Sequence, residues 1–284
     1  MSQGCRPVPP RLSCSTICFR QWPLPTALAA IRDLRFAGVD VGTLPGFCDH
    51  FDFVNAPSGA EHALHDAVAA SGLRVFTFTT NIGEFNAPGA DAERVLAAGR
   101  RNLRAAAALG AEAVVFNCGA WLDRREQPFS DGVARVAEGL RCLAPEAEAL
   151  GVGLLIEAPH KSKLCRDVDE ALVLLERIGH PWARLIYDCN HHHAAGWSPA
   201  DAIRRLGARS IGLVHLRDAV GTENRYPLGA GEIDFRTLIA VLEGDGYTGR
   251  YALEFTDAAD SVAGTKDVLR RSVEFLDECG FPRS

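Results

Sequence analysis

Short apolar runs alternate with longer amphipathic stretches along the chain, about eight times over. The runs are "RLSCSTICF", "GVDVGTL", "LRVFTFTT", "AEAVVFNC", "GVGLLIEA", "ARLIYDC", "IGLVHLR" and "GRYALEF". Between them lie segments with helical spacing, such as "ERVLAAGRRNLRAAAALG", "GVARVAEGLRCLAPEAEALG" and "DEALVLLERIG". In several of these a glycine follows the last periodic residue, as a helix C-terminus prefers. Strands that alternate with helices imply parallel pairing, and continuous apolar runs imply strands covered by other elements. Each unit averages about 35 residues, the size of one βα repeat, so the pattern predicts an α/β protein with a (β/α)8 TIM barrel. An open doubly wound sheet is the second choice, but "GVDVGTLPG" and "LGAGEIDF" match a dinucleotide-binding glycine fingerprint poorly.

No Ser-rich linker, charge block or low-complexity segment divides the 284 residues. The expected organisation is a flexible N-terminal segment, 1–11, followed by one barrel domain, 12–284. The apolar fraction, 47%, is large enough for a sizeable core. A formal net charge of −6 without a basic run disfavours nucleic acid as a partner. Nine cysteines, an odd number without CxxC spacing, suggest neither a disulfide framework nor a structural zinc site. The N-terminus lacks an apolar signal core and no run of 18 apolar residues occurs, so a cytoplasmic protein with no membrane contact is expected.

In a barrel of this kind, reactive side chains stand at the C-terminal ends of strands. The last four apolar runs end in or near Glu157 ("LLIEAPH"), Asp188 ("LIYDCNH"), His215 ("LVHLRD") and Glu254 ("ALEFT"). One carboxylate at a strand end commonly caps the next helix, and one strand histidine is commonly a satisfied core residue. Four metal-compatible side chains on consecutive strands are different, because buried carboxylates that lack partners are costly and repel one another. A divalent cation removes that penalty. Three carboxylates and an imidazole suit Mn²⁺ or Mg²⁺, with Zn²⁺ and Co²⁺ also compatible.

From about residue 12 onward the chain resembles the xylose-isomerase-like TIM-barrel superfamily of sugar isomerases, epimerases and related lyases. The resemblance is carried by "LGAEAVVFNCG", "EAEALGVGLLIEAPH", "DCNH", "VHLRDA", "PLGAGEIDF" and "GYTGRYALEF". It implies that Glu157, Asp188, His215 and Glu254 bind one divalent cation, with Mn²⁺ favoured. It further implies that Glu157 and Glu254 act as the acid and base, and that His191 and Arg217 hold substrate oxygens. It assigns no role to His192 or His193, which are expected at a loop or helix start with partial exposure. Relatives of this kind often form homo-oligomers.

Such a site suits proton transfer next to a carbonyl, through a metal-stabilised enediolate, in a small carbohydrate. The outcome is isomerisation or epimerisation. A leaving group β to the carbanion instead gives a dehydratase or lyase acting on an inosose or keto-glycoside, and a non-catalytic sugar-binding barrel is a further alternative. Ketose epimerases of the superfamily commonly carry a second glutamate six residues past the one on the fifth strand; Lys163 stands there in this chain. His160, Lys161 and Lys163 carry donors suited to a phosphate or carboxylate near the barrel mouth. Asp40 stands where many relatives have glutamate and is assigned no role. The apurinic endonuclease branch of the superfamily needs extra histidines on the third and fourth strands, and "FTFTTN" and "VVFNCG" supply none.

Overall fold

The computed structural model describes residues 8–257 and 259–283. The first seven residues of the expected flexible segment lie outside the described residues. Arg11, at that segment's end, is held by its guanidinium against Gly249 O, Tyr247 O and Glu243.

The expected (β/α)8 barrel is what the chain forms. Its strands are β1 (Leu12–Ser15), β2 (Gly38–Thr43), β3 (Arg74–Thr80), β4 (Ala113–Asn117), β5 (Gly153–Glu157), β6 (Ala183–Asp188), β7 (Ile211–Leu216) and β10 (Arg250–Leu253). They pair in parallel, in chain order, and β10 closes the barrel between β7 and β1. A two-stranded antiparallel hairpin, β8 (Asp218–Val220) with β9 (Glu223–Tyr226), rises from the connection after β7. The helices are α1 (Leu24–Asp33), α2 (Glu61–Ser71), α3 (Ala92–Ala108), α4 (Phe129–Leu150), α5 (Val168–Ile178), α6 (Cys189–Ala194), α7 (Pro199–Leu206), α8 (Phe235–Gly244) and α9 (Val262–Glu278). Left-handed glycines at 72, 151 and 179 end α2, α4 and α5, as the sequence pattern requires. No helix among the described residues is long and apolar enough to cross a membrane.

Side chains of a strand alternate between its two faces. Outward residues such as Val114, Phe116, Ile156 and Tyr187 join the large core shared with the helices. Ala113, Val115, Leu155, Ile186, Leu213 and Ala252 form a second, separate apolar cluster, which fills the inside of the barrel. On the β1–β3 side, buried Ser13, Ser15, Asp40, Thr77 and Thr79 stand in place of apolar residues. The run "RLSCSTICF" is strand only to Ser15; a 3₁₀ turn over Thr16–Phe19 follows, and the Ser15 side chain caps it by accepting from Ile17 N.

Candidate metal centre

The period of two that builds the inner plug also raises the site. Two residues beyond Leu155, Ile186, Leu213 and Ala252 come Glu157, Asp188, His215 and Glu254, so all four side chains enter the layer above the plug, at the C-terminal mouth. One ligand atom from each lies within 4.8 Å of all the others. His215 Nδ1 is 3.3 Å from Glu254 Oε2 and 3.8 Å from both Glu157 Oε1 and Asp188 Oδ2. Asp188, His215 and Glu254 are buried, and Glu157 keeps a slight opening to the mouth.

Asp188 divides its oxygens. Oδ1 caps α6, accepting from Asn190 N at 3.0 Å and His191 N at 3.2 Å, and it also accepts from Arg217 Nε at 3.2 Å. Oδ2 faces His215 and accepts from Arg217 Nη2. Burial alone would raise this carboxyl, but the Arg217 guanidinium and the neighbouring imidazoles hold it at about 2. Burial works against a charged His215, yet Glu254 and Glu157 outweigh it and raise the imidazole well above its usual range. The cluster thus draws positive charge to itself.

Of the residues expected to meet substrate, His191 and Arg217 adjoin the cluster. Arg217 Nη2 is 3.0 Å from His191 Nε2, which lies 3.8 Å from Glu157. Burial pushes His191 well below the ordinary histidine range, so it is a neutral imidazole. The Asn190 amide nitrogen lies 3.2 Å from His191 Nδ1 while Asn190 Oδ1 is buried without a partner. Because Arg217 Nη2 donates to Nε2, Nδ1 carries the ring proton, and turning the amide over lets Asn190 Oδ1 accept from it. The ring of His160 packs against that of His191, with centroids 3.8 Å apart. Lys163 is held differently: its ammonium is paired with Glu84 of the β3–α3 connection. Lys161 donates to Thr222 O of the hairpin. His192 departs from the expected partial exposure. It is fully buried, stacked on Tyr187 at 4.1 Å, because α6 starts at Cys189 and turns it toward the core. His193 is partly exposed beside Glu232, 3.3 Å away.

The donor set fits one divalent cation. Ligands about 2.0–2.3 Å from a common ion stand no more than about 4.6 Å apart, close to the spread observed. Both nitrogens of fully buried His215 lack an aligned hydrogen bond among the described residues, so a cation entering the cluster would take the place of the proton that Glu254 and Glu157 draw to this imidazole.

Asp40, to which the sequence assigned no role, lies beneath the mouth on the β1–β3 side. It is fully buried on β2 and accepts from Ser15 Oγ at 2.6 Å, Thr77 Oγ1 at 2.7 Å and Thr79 Oγ1 at 3.0 Å. A charged residue in the middle of an apolar run was the available signal.

A family model described as a xylose isomerase-like TIM barrel matches residues 28–279. Among solved structures, D-psicose 3-epimerase from Clostridium cellulolyticum H10 aligns with a TM-score of 0.77 at 15% identity, covering 96% of this chain and 100% of that one. The 3-keto-D-glucoside 4-epimerase YcjR from E. coli aligns with a TM-score of 0.75 at 21% identity, covering 95% and 99%. The IOLI protein, solved with a bound zinc atom, aligns with a TM-score of 0.71 at 13% identity, covering 95% and 96%. At these identities the likeness speaks for the fold alone. No curated protein sequence matches the chain.

Proposed function

The chain belongs to the xylose isomerase-like TIM-barrel family, and from that premise we propose that it is a divalent-metal-dependent isomerase or epimerase of a sugar or sugar derivative. The observation that carries this reading is the convergence of Glu157, Asp188, His215 and Glu254, from successive barrel strands, within 4.8 Å. The names of two structural neighbours, epimerases of D-psicose and of a 3-keto-D-glucoside, support a carbohydrate substrate.

Glu157, Asp188, His215 and Glu254 would hold the cation, and Mn²⁺ suits this oxygen-rich set. When bound, it would supply Lewis acidity toward the substrate carbonyl. Glu157 and Glu254 then divide the proton work. One removes the proton α to the carbonyl, and the other returns a proton to the neighbouring carbon or to the opposite face of the same carbon. The first route, in which the hydroxyl proton also passes to the former carbonyl oxygen, isomerises, and the second epimerises. His191, a neutral imidazole, turns Nε2 toward Glu157; that nitrogen accepts from Arg217 Nη2, so a substrate hydroxyl would take it by displacing that contact. The slight opening at Glu157 gives substrate access from the mouth.

The test is exchange of the α-proton of ketoses and keto-glycosides with deuterated water, with bound metal measured by mass spectrometry. Wild type is expected to hold about one cation per chain and to exchange. Glu254→Gln is expected to lose at least about a hundredfold in rate, within the range of a removed general base, while binding metal more weakly without losing it altogether. Wild-type exchange in that variant would sink the assignment.

A further inference from the structure

The position of Arg217 bears on how tightly the centre holds its ion, a question that rests on the metal reading above. Its guanidinium reaches all three carboxylates of the four-residue set. It engages Asp188 through two nitrogens, comes within 3.4 Å of Glu254 Oε2 through Nη1, and within 3.7 Å of Glu157 Oε1 through Nη2. A residue that only aimed Asp188 would take the oxygen turned away from the cluster. Arg217 does take that oxygen, Oδ1, through Nε beside the Asn190 and His191 amides, but its Nη2 also takes Oδ2, the one that faces His215.

We propose that Arg217 sets the metal affinity of the centre: its guanidinium competes with the divalent cation for the carboxylates and keeps the ion exchangeable. Two effects act in the same direction. The Asp188 Oδ2 lone pair used by Nη2 is withdrawn from the cation. The guanidinium charge, on a side chain only 9% exposed, repels a dication a few ångströms away with little screening by solvent. The charge count agrees. With His215 neutral as a ligand, three carboxylates carry −3, Arg217 reduces this to −2, and one dication brings the set to zero. Without Arg217 the same dication meets −3 and is held more firmly. The hydroxyl-held Asp40 is the same in both cases. This role differs from holding a substrate oxygen, because it acts on the ion whether or not substrate is present.

The experiment is a titration of metal-stripped protein with Mn²⁺ against a chromogenic chelator, with release rates measured on the loaded protein. Wild type is compared with Arg217→Met, Arg217→Gln and Arg217→Lys. Met removes the charge and keeps the apolar stem. Gln removes the charge but keeps hydrogen bonding to Asp188, so it serves if the Met variant does not fold. Lys keeps the charge. Both neutral variants are expected to bind Mn²⁺ tighter by on the order of tenfold or more and to release it more slowly, while the Lys variant stays within a few-fold of wild type. Equal or weaker binding in the neutral variants, with wild type still binding one ion, overturns the proposal and makes Arg217 an orienter of Asp188. A wild type that binds no Mn²⁺ overturns the metal reading, and this proposal falls with it.

Discussion

Asp40 is fully buried, and no cation stands within ion-pair distance of it among the described residues; its oxygens are met by three hydroxyls from β1 and β3. Burial pushes this carboxyl up, and His215 pulls it partly back. Removing the carboxylate orphans up to three buried donors and opens a small void. Asp40→Ala is therefore expected to lower stability by about 2–4 kcal/mol, measured by urea unfolding, since each unsatisfied buried polar group costs about 1–3 kcal/mol and some hydroxyls turn to backbone carbonyls. A loss below about 1 kcal/mol would mean that the three hydroxyls are satisfied without it. The four candidate ligands were legible in the sequence because each ends an apolar run, where barrel geometry exposes side chains to the mouth. Asp40 was not, because its partners come from two other strands. Lys163 shows the same limit: its charge suggested a substrate anion, but its partner Glu84 lies 79 residues away in sequence.

Elements were legible where period and punctuation agree, as in α4, whose helical spacing ends at left-handed Gly151. They were less so where one polar side chain decides the matter. Ser15 ends β1 by capping a turn that the apolar run alone would continue as strand. The β8–β9 hairpin has no apolar alternation to announce it; its turn runs through Gly221, with positive φ. Within α4, Gly139 makes a case where local and tertiary preferences oppose each other. Helix propensity favours alanine over glycine by about 1 kcal/mol at an interior position. A Cβ at Gly139, however, would come within 2.4–2.5 Å of the Phe85 ring. Phe85 must then swing out and give up apolar contact, at about 1–3 kcal/mol. Gly139→Ala is expected to be net destabilising by about 1–2 kcal/mol in thermal or urea unfolding. A stabilised variant would show that the β3–α3 connection yields freely. Because that connection also carries Glu84, the same variant is expected to loosen the Glu84–Lys163 pair at the mouth.

The closed barrel brings the four candidate ligands together, since Glu254 follows the last strand and reaches the others only when β10 pairs with β7 and β1. An unfolded chain has no such site, so a cation held there binds the folded state selectively. At a free concentration a hundred times its dissociation constant it adds about 2.7 kcal/mol to stability. For a domain of this size that corresponds to a rise in Tm of roughly 4–8 °C. The mutual repulsion of three carboxylates within 4.8 Å makes the effect specific to cations that enter the cluster. Differential scanning calorimetry with Mn²⁺, followed by a chelator, is expected to show the rise and its reversal. Asp188→Ala separates this site from any other. It removes a carboxylate of the cluster together with the cap of α6, so its Tm starts lower, and it should then respond to Mn²⁺ by less than about 1 °C because little of the linkage energy remains. Equal shifts in the two proteins would place the stabilising ion elsewhere and leave the strand-end cluster as an internally balanced polar network held by Arg217.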